Sequence, residues 1–386
     1  MLPASSTHTL TTANNSTPYG PTGLPVVTSA ITIAGKGSTI TRASGAPAFR
    51  LLGVSSTGNL TIRQTTLSGG AAAGSDRTGG GVFNRGKLTL SNSTVSGNIA
   101  ADGGGVYTGY GSVTFTNSTV SGNKASAAGG VYTSHGTAIL TNSTVSGNTA
   151  QITAGGGIIA DYSHVTLTNS TVSGNKAFTA GGIRSFKSRV NLTNSTVSGN
   201  TAVRDGGGIF NTSGVMSLIN STVSGNKAGT LGGGVYSGGR FGNDRSDVVL
   251  TRSLVSGNVA TFGTEIYQRE GGVVTSVGFN LFGHDGAIKE NALRGPGLIL
   301  LSQTDIIASA IDGNRPTPLA SILDRTLSNN GGPTQTHALV SGSPAIDGVG
   351  NCPSPAIDQR GVPRPQDGDN DVLALCDIGA FELRAP

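Results

Sequence analysis

The heptapeptide Asn-Ser-Thr-Val-Ser-Gly-Asn occurs six times unchanged, beginning at Asn92, Asn117, Asn142, Asn169, Asn194 and Asn220, and once in altered form from Arg252 to Asn258. Successive starts lie 25, 25, 27, 25, 26 and 32 residues apart. A period of that length belongs to a solenoid, in which each repeat buries its apolar face only by stacking on its neighbours.

Apolar residues recur in three sets within each period. Val82, Val106, Val131, Ile158, Ile183, Ile209 and Val235 each follow a Gly-Gly pair. Pairs two apart follow, such as Leu88 with Leu90, Val113 with Phe115 and Val190 with Leu192, the spacing of a strand with one buried face. The third set is the valine of the heptapeptide, from Val95 to Val255. From Leu90 to Val95 is an odd step, so a straight strand would point one of them outward, and the chain must bend at Asn92-Ser93. No coil has room for an apolar 3.6-residue pattern, and the coils are rich in Gly, Ser, Thr and Asn. The expected fold is therefore all-β, a right-handed parallel β-helix with about 25 residues and three short strands per coil. Asn98 and its equivalents to Asn258 should stack as an amide ladder, and Ala100 and its equivalents should line a tight corner.

Composition supports this once order is considered. With 62 Gly in 386 residues, no Trp and 12% charge, the chain would read as disordered, but the periodic Val and Leu positions supply a continuous narrow core. No run of eighteen apolar residues is present, so no transmembrane segment is expected. Met1-Leu2-Pro3-Ala4 begins no signal peptide, which implies that one was removed or that a longer precursor precedes it. The net charge of +5 comes from scattered Lys and Arg, which argues against a nucleic-acid partner and toward mild attraction to anionic cell-wall polymers.

Three regions are expected: a polar tail at 1–23, which contains Asn14-Asn15-Ser16-Thr17-Pro18, the β-helix at 24–283, and a capping region at 284–386 that shields the open edge of the last coil. Uncovered coil ends would permit self-association.

The capping region carries Asn329-Asn330-Gly331-Gly332-Pro333, Gly342-Ser343-Pro344-Ala345-Ile346-Asp347, Asp358-Gln359-Arg360-Gly361 and Cys376-Asp377-Ile378-Gly379-Ala380-Phe381-Glu382. These motifs resemble the C-terminal region of bacterial choice-of-anchor Q domain proteins, and the Gly-Gly-Val-Tyr and Val-Ser-Gly-Asn elements are similar to repeats of polymorphic outer membrane proteins. Both resemblances imply an exported protein, extracellular or on the bacterial cell surface. Cys352 and Cys376 fit that setting: a bridge closing the loop between them would contribute roughly 3 to 4 kcal/mol, the alternative being two buried thiols. Asp367, Asp369 and Asp371 alternate as ligands of calcium can, or form a solvated acidic turn.

Within the coils, acids are few: Asp76, Asp102, Asp161, Asp205, Asp244, Asp247, Glu265 and Glu270. Asp161 and His164 in one corner, with Arg184, Lys187 and Arg189 in the next, are the candidate catalytic or anionic-sugar cluster, weighed against a solvated corner. Tyr107, Tyr132, Arg184 and Tyr236 follow the Gly-Gly-Val positions and are the candidate ligand-binding stripe, or a structural stack. Thr94 with Ser96, and the same pair in later repeats through Thr171 with Ser173 and Thr222 with Ser224, should point into water and offer a flat hydroxyl array such as some ice-binding solenoids use. The Asn-Ser-Thr triplets match a glycosylation acceptor but are explained by the corner itself. The reading is an exported structural or adhesive surface protein that binds extracellular polysaccharide, with a polysaccharide lyase or glycoside hydrolase as the alternative enzyme and ice binding as the second alternative.

Overall fold

The computed structural model describes residues 1–15, 19–72, 77–239, 245–310, 315–350, 352 and 354–384. Two compact units are present, residues 1–166 with 174–178, and 167–173 with 179–386. Asp76 and Asp244, and residues 16–18 of the expected tail, lie outside the described residues.

Five of the seven heptapeptide residues have a definite duty. In the first unit Asn92, Asn117 and Asn142 turn the corner at φ of 49°, 47° and 51°, a left-handed conformation that Asn tolerates. The next residue, Ser, bonds back to the strand it leaves, and its hydroxyl accepts the N–H of the preceding coil's Ser: Ser93 N–H to Ser118 Oγ and Ser118 N–H to Ser143 Oγ, both 3.2 Å. Val95, Val120 and Val145 point inward and stack in parallel register. Gly122 sits at φ +63° with nothing near a hypothetical Cβ, so glycine is needed there for conformation alone. Gly105 is the opposite case: a Cβ would lie 2.7 Å from the carbonyl oxygen of Gly130 in the next coil.

The final Asn is fully buried and forms the expected ladder. Asn98 donates through both its backbone N–H and its Nδ2 to Asn123 Oδ1, Asn123 likewise to Asn148, and Asn148 to Asn175, at 2.9 to 3.0 Å. In the second unit Asn200 donates to Asn226 and Asn226 to Asn258 in the same way. The three expected strands appear in each regular coil, exemplified by Val106–Gly109, Ser112–Thr116 and Thr119–Ser121, with a short fourth, Lys124–Ala127, on the alanine corner.

The expected boundaries need correction at both ends. Thr7–Leu10, placed in the polar tail, is a strand parallel to Ala30–Arg42, with His8 opposite Ile40. Leu298–Leu300 and Ile306–Ile307 continue the pairing beyond residue 283, against Gly272–Gly278 and Leu281–Phe282. They read as a cap because the heptapeptide is gone, although parallel pairing needs only the backbone.

Leu298 and Leu300, opposite the outward Val273 and Thr275, stay 52% and 44% exposed. The chain from Thr334 onward lies along the hydroxyl side of the second unit. Thr334 Oγ1 donates to the Asn169 carbonyl at 2.9 Å, Thr171 Oγ1 to the Gln335 carbonyl at 2.7 Å and Thr196 Oγ1 to Gln359 Oε1 at 2.7 Å, while Thr222 Oγ1 accepts from Ala380 N–H at 3.0 Å. Thr171, Ser173, Thr196, Ser198, Thr222 and Ser224 are consequently buried, which overturns their expected exposure and confines a hydroxyl array to the first unit. Further along, Leu254 and Leu281 occupy the threonine position and form an apolar core with Ile322, Leu339, Ile346, Cys376 and Ile378. Cys352 and Cys376 are bridged, with Cα atoms 5.6 Å apart.

Charges inside this segment are paired. Arg364 donates to Glu382 Oε2 and to the carbonyls of Asp377 and Gly379 at 2.7 to 2.8 Å. Asp358 holds Arg360 and the N–H groups of Val362 and Glu382. Burial raises Asp377 from 3.8 to about 6 and Glu382 from 4.5 to about 7, against the pull of Arg364. Such carboxyls hold protons that the unfolded chain has released, so their contribution is fullest at low pH and falls as pH rises through the interval between unfolded and folded values. The segment should therefore be protected from hydrogen exchange more strongly at pH 5 than at pH 8 once intrinsic rates are corrected, and the reverse order would contradict these shifts.

Register gives a second test. Val120→Asp buries an unpaired carboxylate and should cost several kcal/mol by chemical denaturation, whereas Thr119→Asp should cost less than about 1 kcal/mol. Thr171→Asp, at the same repeat position but under Gln335 and Gln359, should behave like the valine change.

Candidate functional site

Between the Gly-Gly strand and the outer strand, one residue turns the corner at positive φ. In three coils of the first unit it is aromatic: Tyr110, His135 and Tyr162, at 60°, 52° and 49°. Equivalent positions rise by one coil, so the rings stack as plates, with centroids 4.9 Å apart at both steps and planes within 16° and 8°. Tyr110 is 69% exposed and Tyr162 47%. Arg85 holds the same corner one coil earlier, its guanidinium carbon 5.9 Å from the Tyr110 ring centre. Beside this end of the stack is a cleft of about 540 Å³ lined by Asn59, Arg85, Lys87, Tyr110 and Ser112. It combines an aromatic surface, two cations and amide and hydroxyl groups, which are the contacts that an acidic sugar can use through its C–H face, its carboxylate and its hydroxyls.

Of the sequence-derived candidates in the first unit, Tyr132 and Asp161 are brought together: the Tyr132 hydroxyl donates to Asp161 Oδ2 at 2.7 Å. Tyr107 is half-buried, parallel to Phe83 at 5.6 Å and edge-on to Tyr132 at 5.3 Å. His164 is exposed at the start of its strand. In the second unit Arg189 is exposed, and Arg184 and Lys187 flank the Phe186 ring at 5.5 and 5.6 Å. Tyr236 is not an open platform. It is buried, stacked between Phe210 at 4.4 Å and Tyr267 at 5.8 Å, and burial raises its hydroxyl pKa. The Tyr110 corner was missed, although its signal is in the sequence: Arg85, Tyr110 and His135 each precede a Gly, and Tyr162 a Ser, just before the outer strand.

The acidic loop differs from expectation in one member. Carboxylate oxygens of Asp347, Asp367 and Asp369 lie within 4.8 Å of one another, and Asp347 takes the place expected of Asp371. Asp371 instead donates its N–H to Asp367 Oδ1 at 3.1 Å. Asp347 accepts the N–H groups of Gly368, Asp369 and Leu375, so this oxygen cluster pins the loop as well as being the group that could hold a hard cation such as calcium.

A further pair of ionisable groups ends the amide ladder. Each Asn-to-Asn bond runs from an earlier coil to a later one while the second Nδ2 hydrogen goes back to the earlier coil's carbonyl, as from Asn123 to Val95 and from Asn258 to Val223, so Asn258 is left with a forward Nδ2–H and N–H and no following Asn. Glu265, fully buried, supplies the acceptor: Oε2 takes Asn258 Nδ2–H at 2.6 Å and N–H at 3.3 Å, and Oε1 takes Gly257 N–H at 3.1 Å. Burial raises the pKa of Glu265, and the hydrogen bonds from His284 and Asn258 oppose that rise. His284 Nδ1 is 3.0 Å from Glu265 Oε1.

A family comparison agrees with this architecture. Residues 5–172 match the family model described as a right-handed β-helix region. The fold is a right-handed parallel β-helix. No curated protein matches the chain in sequence. Among solved structures it is similar to the Dettilon tailspike protein gp208, at 11% identity and TM-score 0.30, over 71% of this chain and 60% of that one. It is also similar to the pectate lyase Pel9A, at 15% identity and TM-score 0.38, over 99% and 97% of the two chains. The chain thus spans 60% of the tailspike's length. Among the described residues, no helix is long and apolar enough to cross a membrane.

Proposed function

We propose that this β-helix is an exported surface protein of the choice-of-anchor Q type that binds an acidic extracellular polysaccharide at the Tyr110 corner. The observation that carries the reading is the exposed Tyr110, His135 and Tyr162 stack ending in a cleft with Arg85 and Lys87. Exposed aromatic rings on a soluble surface are costly to keep without a use, and here they stand in line along the stacking direction, which suits a linear polymer. The Cys352 to Cys376 bridge supports passage through an oxidising compartment.

Fluorescence anisotropy with labelled polygalacturonate, against neutral dextran, tests this. Polygalacturonate should bind and dextran should not. Tyr110→Ala should weaken binding by about 1 kcal/mol, roughly fivefold in Kd, and Arg85→Ala with Lys87→Ala should flatten its salt dependence. Equal binding by wild type and both variants would contradict the site. An assay for new reducing ends and unsaturated uronates runs beside it, and turnover would replace the binding role with a degrading enzyme.

A further inference from the structure

The Glu265 and His284 pair does more than end a ladder, because His284 also lines a cleft. Its Nδ1 lies 3.0 Å from Glu265 Oε1 and 3.3 Å from the Gly257 nitrogen, which leaves Nε2, beside Gly286 in the cleft wall, as the imidazole atom that can meet a ligand. The cleft, about 440 Å³, is lined by Ser224, His284, Asp285, Leu319 and Arg325, and falls in the size range of small-ligand sites. Arg325 is exposed, and among the described residues its guanidinium makes no hydrogen bond or ion pair. Asp285 is exposed, and its Oδ1 accepts Leu319 N–H at 3.2 Å.

We propose that this cleft binds a small oxyanion, such as the carboxylate of an acidic sugar or a sulfate group, between His284 Nε2 and the Arg325 guanidinium. A carboxylate behind an imidazole fixes the ring's orientation and favours its protonated form, so that Nε2 presents an N–H to the ligand. Arg325 supplies the planar donor fork that carboxylates and sulfates accept. The charged groups facing His284 are Glu265, Asp285 and Arg325. Burial pushes its pKa down, but the hydrogen bond and charge of Glu265, helped by Asp285, outweigh burial and Arg325 and leave it raised. Binding therefore requires the proton on His284 and weakens as pH rises through that raised value. This site lies in the second unit and does not depend on the Tyr110 corner.

Isothermal titration calorimetry with sodium sulfate, galacturonate and neutral galactose at pH 6 and pH 8.5 decides the matter. Sulfate or galacturonate should bind at pH 6 and roughly tenfold more weakly at pH 8.5, and the tighter of the two identifies the source of the anion. His284→Gln, which keeps an N–H toward Glu265 but cannot be protonated, should remove the pH dependence and most of the affinity. Arg325→Gln, at an exposed position, should also weaken binding roughly tenfold, while Tyr110→Ala should leave it unchanged. No binding of either anion at pH 6, binding indifferent to both cleft variants, or equal binding of galactose would overturn the proposal.

Discussion

The hydrogen bond from each buried asparagine to the asparagine of the next coil is the interaction on which the rest of the structure depends. A β-helix this poor in large apolar residues has a narrow core, so the corners must be held by polar groups that are fully satisfied. One Asn does this twice over, because its Oδ1 accepts both the backbone N–H and the Nδ2–H of the preceding coil's Asn. Each step contributes roughly 1 kcal/mol net, but removing one leaves a buried donor at a cost of about 1 to 3 kcal/mol. That asymmetry explains why Asn98, Asn123, Asn148, Asn200 and Asn226 are all alike in a sequence whose outer corners vary freely. It also explains Glu265, whose oxygens accept the donors that no following Asn takes up.

The inward half of the fold was legible because stacking puts like on like. Val95, Leu88 with Leu90, and the Gly-Gly-Val element each announce their facing by period. The bend at Asn92 was legible from parity alone and appears as a left-handed corner residue. What lay against the outward positions was not legible, since Thr119 and Thr171 stand in identical heptapeptides, one partly exposed and the other under Gln335 and Gln359. The cause lies some 160 residues away in the chain. A local hint existed in Leu254, where the outward threonine of the repeat becomes leucine: an apolar residue at a solvent-facing position signals a cover, and Leu254 joins the core beneath the C-terminal segment.

The candidate sites show the same division. Corners are where a solenoid can vary without disturbing its stack, so the residues able to meet a ligand are those with no structural duty. Reading the residue after each Gly-Gly-Val selected positions such as Tyr236 that serve the stack itself. The corner three residues further on, at Tyr110, His135 and Tyr162, carries the exposed rings. His284 was invisible from sequence because its partner Glu265 sits 19 residues away, and only the coil geometry brings the two together.

The most direct test of this account is side-chain amide exchange, followed by NMR on protein labelled with nitrogen-15 at asparagine. The ladder Nδ2 protons of Asn98, Asn123, Asn148, Asn200 and Asn226 should exchange as slowly as the core backbone amides, while those of the corner residues Asn92, Asn117 and Asn142 should exchange rapidly. If ladder and corner amides exchange alike, the buried asparagine ladder does not hold the coils together.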